Sequence, residues 1–194
     1  MFYGCTSLVN APELPATILA NYCYQYMFMN CTSLASSPEL PATTLVLWCY
    51  NGMFWGCTSL TAAPELSATT LARGCYNKMF MNCTSLTTAP ELPATTLVRN
   101  CYSQMFFNCT SLTTAPELPA DTLEQECYNN MFNGCTSLNY IKCLAINRAF
   151  AENCTLGWLN KVAATGTFVK AATASWNIGE RGVPGGWTIV DATD

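Results

Sequence analysis

Residues 83 to 109 read Cys-Thr-Ser-Leu-Thr-Thr-Ala-Pro-Glu-Leu-Pro-Ala-Thr-Thr-Leu-Val-Arg-Asn-Cys-Tyr-Ser-Gln-Met-Phe-Phe-Asn-Cys, and the next Cys-Thr-Ser-Leu begins where they end. That tetrapeptide starts at Cys5, Cys31, Cys57, Cys83, Cys109 and Cys135, a constant step of 26 residues. Met-Phe keeps the step from Met1 to Met131, Cys-Tyr from Cys23 to Cys127, and Pro-Glu-Leu from Pro12 to Pro116. Five full copies therefore fill residues 5–134. A unit of this size cannot bury an apolar face alone, so successive copies stack into one continuous core in which each touches only its neighbours.

Each copy has two halves. The first, Cys83 to Pro93, is Thr-rich and punctuated by prolines, which predicts a strand of about four residues ending where Pro90 removes a ladder donor. In the second, Ala94 to Asn108, Leu97, Cys101 and Met105 stand at i, i+4 and i+8, with Phe106 and Cys109 widening the stripe. This spacing predicts a helical segment entered through Pro93, Thr95 and Thr96. The expected fold class is an α/β repeat solenoid: a leucine-rich-repeat arc with a short parallel strand and a helical segment per coil, plus a C-terminal cap.

The motif Met-Phe-x-Asn/Gly-Cys-Thr-Ser-Leu-x-x-x-Pro resembles the BspA-like (Treponema pallidum type) leucine-rich repeats of bacterial surface proteins. The resemblance spans residues 1 to about 140 and is carried by Phe106, Cys109 and Leu112, which match an Ala-Phe-x-x-Cys-x-x-Leu core. Met105 departs from it, standing where that family usually has Ala. The resemblance implies adhesion or binding to matrix and host proteins at the cell surface or after secretion, without catalysis.

Composition narrows the function independently. The 194 residues are 51% hydrophobic and 10% charged, with 8 basic and 12 acidic side chains and net charge -4. No basic face can be built from so few cations, so nucleic acid is not an expected partner. Histidine is absent. Imidazole-dependent triads, His-ligated zinc and imidazole pH switches are therefore excluded. Apolar runs are far shorter than the roughly 18 residues of a membrane-spanning helix, and no signal peptide is read from this N-terminus.

Of the 13 cysteines, eleven fall into two periodic columns, leaving Cys143 and Cys154 outside. No Cys-x-x-Cys occurs, so no metal and no other cofactor is expected. Both columns read as small buried apolar positions, whereas Cys143 and Cys154 could close a small loop as a disulfide. A cysteine-dependent enzyme would need a base or phosphate loop that the sequence does not supply.

Fixed columns build the core, so recognition belongs to the columns that change. Tyr22, Tyr26, Met29, Leu47, Trp48 and Trp55 gather on the first coils as a candidate partner-binding patch for a protein or surface glycan; the competing reading packs them against a neighbouring coil. Glu13, Glu39, Glu65, Glu91 and Glu117 form a line of like charges, read as a solvated stripe. Asn-Cys-Thr recurs at Asn30, Asn82, Asn108 and Asn153 as a by-product of the repeat.

The period fails near Tyr140. Residues 1–140 are assigned to the solenoid and 141–194 to a capping segment, with an apolar helical stretch through Leu144, Ala149, Phe150, Leu156, Trp158, Leu159 and Val162. Strand-like runs follow at Gly166–Lys170 and Gly186–Val190, and Trp176 and Trp187 are packing residues of the cap. At the other end Met1-Phe2 falls inside a repeat unit, which suggests either a fragment of a longer array or self-association through an uncapped first coil. The resulting expectation is a non-catalytic binding or adhesion module, with a structural spacer or stalk as the alternative and a thiol enzyme behind both.

Overall fold

The computed structural model describes residues 1–147 and 151–193. The fixed columns stack. Phe28, Phe54, Phe80 and Phe106 form a face-to-face ladder with centroids 5.6–5.7 Å apart, ending on Phe132 at 5.5 Å. A second ladder runs Tyr24, Tyr50, Tyr76, Tyr102, Tyr128 and closes on Trp158. Rings 26 residues apart meet at the same height because every coil has the same length, and the Leu, Met and Cys columns fill the space beside them.

The expected strand contracts to single parallel bridges, such as Asn10 to Ser36 and Ala62 to Thr88. Proline is the cause. Pro38-Glu39-Leu40-Pro41-Ala42 alternates buried and exposed as an extended chain does, but two of its five residues have no N–H to donate. Where prolines disappear, a sheet forms. Strands β1 (Tyr140–Cys143), β2 (Gly166–Lys170) and β3 (Trp187–Asp191) pair in parallel in that order, with Ile141 opposite Phe168 and Phe168 opposite Ile189.

The helical segment expected in each coil is absent: no α-helix occurs among the described residues. Three tight turns laid end to end take its place. In the second coil Cys49 N–H donates to Val46 O, Met53 to Tyr50 O and Cys57 to Phe54 O. The third residue of each turn, Trp48, Gly52 and Gly56, has φ of +55°, +59° and +75°. Positive φ there is the signature of a type II turn. The remaining amides point to the next coil: Trp48 donates to Arg73 O, Tyr50 to Cys75 O, Gly52 to Asn77 O and Phe54 to Met79 O. Alternate N–H groups thus close turns and join coils. A helix would have spent all of them internally and left the coils joined by side chains alone.

The repeat of four residues explains the misreading. Leu45, Cys49, Met53 and Cys57 sit at i, i+4, i+8 and i+12 and are all buried, which mimics a helix stripe. A helix advances by 3.6 residues per turn and would mix steps of three and four. The sign visible in the sequence is the fourth-residue column Asn30, Gly56, Asn82, Asn108, Gly134, all at positive φ, filled by the residue types that tolerate this conformation best. Three of the four Asn-Cys-Thr sequons, at Asn30, Asn82 and Asn108, arise from the same column.

Turn geometry continues past Tyr140. Asn153, Gly157 and Lys161 have positive φ, and Tyr128, Asn130 and Phe132 donate to Cys154 O, Leu156 O and Trp158 O. The apolar stretch expected to be helical there is another chain of turns; Ala149 and Phe150 of that stretch lie outside the described residues. Trp176 and Trp187 are buried. Trp176 stacks on Trp158 at 5.2 Å, and Trp187 Nε1–H donates to Ala163 O at 2.8 Å.

Candidate functional site

Three columns of left-handed residues place their side chains on one face of the solenoid, each leaning over the following coil. A Cβ built on Gly52 would lie 2.4 Å from the Tyr26 ring, and one on Gly74 would lie 2.4 Å from Trp48. Large aromatics in one coil are therefore seated on glycines of the next. Two residues of the expected patch also pack against a neighbouring coil: Tyr26 and Trp48 rest on backbone that has no side chain to displace them.

Five of the six patch residues fall into two groups. Tyr22, Tyr26 and Trp48 line an open groove along the turn face, and Tyr22 is 51% exposed. Met29 and Trp55 occupy one column a coil apart, with Trp55 6.3 Å from the Tyr26 ring and capped by Lys78 Nζ at 5.7 Å. Leu47 is half-buried, and its N–H donates to Asn21 Oδ1. The column of Met29 and Trp55 continues through Met81 and Phe107, also half-buried, so the apolar stripe runs beyond the first coils to which the sequence reading confined it. Their place after Met-Phe was the signal available for finding them.

The glutamate column is exposed, and Lys142 Nζ pairs with Glu117 at 3.0 Å. No group of three or more acidic or cysteine ligands suited to a metal occurs among the described residues.

The cysteine columns are buried from Cys31 and Cys49 onward. In one column each thiol donates to a carbonyl of the preceding coil: Cys57 Sγ to Phe28 O at 3.1 Å, Cys83 Sγ to Phe54 O at 3.0 Å, Cys109 Sγ to Phe80 O at 3.1 Å. The same carbonyl accepts the turn-closing N–H, as Phe54 O does from Cys57. Cysteine combines small apolar bulk with the weak donor this second lone pair needs. Burial raises these thiols, Cys49 to about 11 and Cys57 to about 12, the opposite of nucleophile activation.

The expected loop-closing disulfide is not formed; Cys143 and Cys154 are separate buried thiols. They belong to different tracks of the coil. Cys143 ends β1 opposite Lys170, while Cys154 takes the column place of Cys127, its carbonyl accepting from Tyr128. Only Cys5 and Cys23 are exposed. Iodoacetamide applied to the native protein should accordingly modify Cys5 and Cys23 and spare the other eleven, counted by intact mass, until denaturant is added.

A stack of equal coils carrying parallel strand pairing on one face and a varied surface on another defines a leucine-rich-repeat solenoid of the protein-interaction class. Within that class, the sequence matches the BspA type Leucine rich repeat region in six copies over residues 1–69 and 72–159. The chain belongs to that family. Comparison with curated proteins and with solved structures gave no match.

Proposed function

We propose that this chain is a non-catalytic recognition module of a cell-surface or secreted protein, acting in adhesion by binding a partner protein through its turn face. One observation carries the reading. The Met29, Trp55, Met81 and Phe107 stripe is apolar and half-exposed at the column that varies between coils, while the Met-Phe pairs beside it, from Met27-Phe28 to Met105-Phe106, are buried. Aromatic and Met side chains are the residues enriched in interface cores. The face also has the rigidity that recognition favours, since its backbone amides are engaged within and between coils.

The family to which the chain belongs supports a binding role, and the inert, buried thiols leave a cysteine enzyme without a nucleophile in the core. Attachment of the purified chain to a panel of immobilised matrix proteins tests the reading. Replacing Trp55 and Phe107 together with Ser should weaken attachment by about tenfold or more, as expected for aromatic anchors, with little change in melting temperature. Wild-type protein that attaches to nothing in the panel would favour the spacer role instead.

A further inference from the structure

Charge is spread unevenly along the solenoid. The first 72 residues carry no Lys or Arg and three acidic side chains, Glu13, Glu39 and Glu65. All three line one depression on the Pro-Glu-Leu-Pro track, formed by cavities of about 400 and 420 Å³ that share Pro38, Glu39 and Pro41. Neighbouring segments do not close it, because prolines withhold amides and the carboxylates repel one another across coils. Among the described residues the N–H groups of Glu39, Leu40, Glu65 and Leu66 donate to no acceptor, and Glu13, Glu39 and Glu65 make no ion pair or hydrogen bond. The fifth coil shows how the chain itself completes this track. There β1 and Leu144 lie along Pro116-Glu117-Leu118: Lys142 Nζ reaches Glu117 at 3.0 Å, Leu118 N–H donates to Lys142 O at 2.9 Å, and Leu144 N–H donates to Leu118 O at 3.0 Å. One extended segment supplies both main-chain partners and a cation.

We propose that the depression over the first three coils is a second interaction surface, which takes an extended Lys- or Arg-bearing segment of a partner protein. It lies apart from the turn face and does not depend on the reading given to that face. Charge complementarity selects the partner. The first cations of the chain past this region are engaged elsewhere, Lys78 over Trp55 and Arg99 with Glu126, so the three carboxylates are left for an outside cation. Proline rings give an apolar bed to the stems of Lys and Arg while the charged heads reach the carboxylates. The unpaired N–H groups of the Glu-Leu pairs can take carbonyls of an added extended chain, as Leu118 takes that of Lys142. From Glu13 to Glu65 is two coil spacings, roughly 10 Å, or about three residues of extended peptide. Two cations two or three residues apart therefore address the row. A metal ion fits less well, since each coil brings one carboxylate and no group of three ligands suited to a metal occurs among the described residues.

Fluorescence anisotropy of the full chain with a labelled heptapeptide of alternating Lys and Thr tests the proposal. Binding should saturate, and raising salt from about 50 to about 500 mM should weaken it about tenfold or more. Glu39→Gln together with Glu65→Gln should lower the affinity about tenfold, the worth of two solvent-exposed ion pairs. The melting temperature of that variant should hold or rise, because like charges are removed from facing positions. Spermine, a linear cation without a peptide backbone, should bind about tenfold more weakly than the heptapeptide, for want of main-chain hydrogen bonds. Trp55→Ser with Phe107→Ser, on the turn face, should leave peptide binding unchanged. Four results would overturn the proposal: the heptapeptide does not bind, the double glutamine variant binds it as the parent does, a peptide of alternating Gln and Thr binds as tightly, or spermine binds as tightly. If matrix-protein attachment is lost on replacing Trp55 and Phe107 while no cationic peptide binds, the turn face stands and this surface alone falls.

Discussion

Raising the pH above about 9 should unfold this protein over a narrow interval, and the cysteine columns should be the cause. Cys49, Cys57, Cys75, Cys83, Cys101, Cys109, Cys127 and Cys135 are all raised above the ordinary thiol value of 9.0, chiefly because burial penalises the thiolate. Cys49 is pushed to about 11 and Cys57 and Cys135 to about 12. Below pH 9 both folded and unfolded chains hold these protons, and the stability is fully present. Above it the unfolded chain releases protons that the folded chain keeps, so stability falls as pH rises toward the folded values. Each such group removes roughly 1.4 kcal/mol per pH unit. Eight acting together remove about 11 kcal/mol per unit, which matches the whole of an ordinary domain stability of about 5–15 kcal/mol. Tyr50, Tyr76, Tyr102 and Tyr128, raised by the same burial, add to the slope above 10.0.

Far-UV circular dichroism in the presence of a reductant should therefore collapse within about one pH unit of 10, and thiolate absorbance should rise at the same midpoint. Cys83→Ala with Cys109→Ala should make the transition shallower, since two of the eight groups are gone. Core thiolates appearing near pH 9 while the dichroism holds would show that the columns are open to water, contrary to their burial.

How much of this was legible beforehand depends on what each residue reports. The ladder columns were readable because identity at a fixed step forces identical side chains into register, whatever local structure they take; Phe80 and Phe106 meet for that reason alone. The strands at Gly166–Lys170 and Trp187–Asp191 were readable because β-branched and aromatic residues without proline have few alternatives there. The second half of each coil was misread because a four-residue turn repeat and a helix bury nearly the same positions. What separates them is the residue that stays outside the core. Trp48, Lys78, Gln104 and Glu126 take positive φ in spite of their types, held there by neighbouring coils, so local preference was legible only at Asn and Gly. The burial of a polar column was hidden for a related reason. Gln25, Asn51, Asn77, Ser103 and Asn129 are residue types expected at a surface, and only stacking shows that the central three are buried.

Gly134 tests the turn geometry through the cost of one substitution. In the turn chain Gly134 has φ of +83°, where a side chain costs roughly 1–2 kcal/mol, and an added Cβ would come 2.0 Å from Asn108 Oδ1. Gly134→Ala should therefore destabilise. Gly134→Val, with its branched Cβ against the same amide, should cost more, about 3 kcal/mol in all. At about 2–4 °C per kcal/mol for a domain of this size, the valine variant should melt about 6–12 °C below the parent. Gly134→Asn is the control. Asn tolerates positive φ, and Asn108 already donates from Nδ2 to Asn82 Oδ1 one coil earlier at 3.2 Å, so the same amide-to-amide contact is open to residue 134. The expected order of melting temperature is Gly, then Asn close behind, then Ala, then Val. An alanine variant that melts above the parent would overturn the left-handed turn at residue 134 and, with it, the chain of turns on which the aromatic seats and the coil-to-coil hydrogen bonds depend.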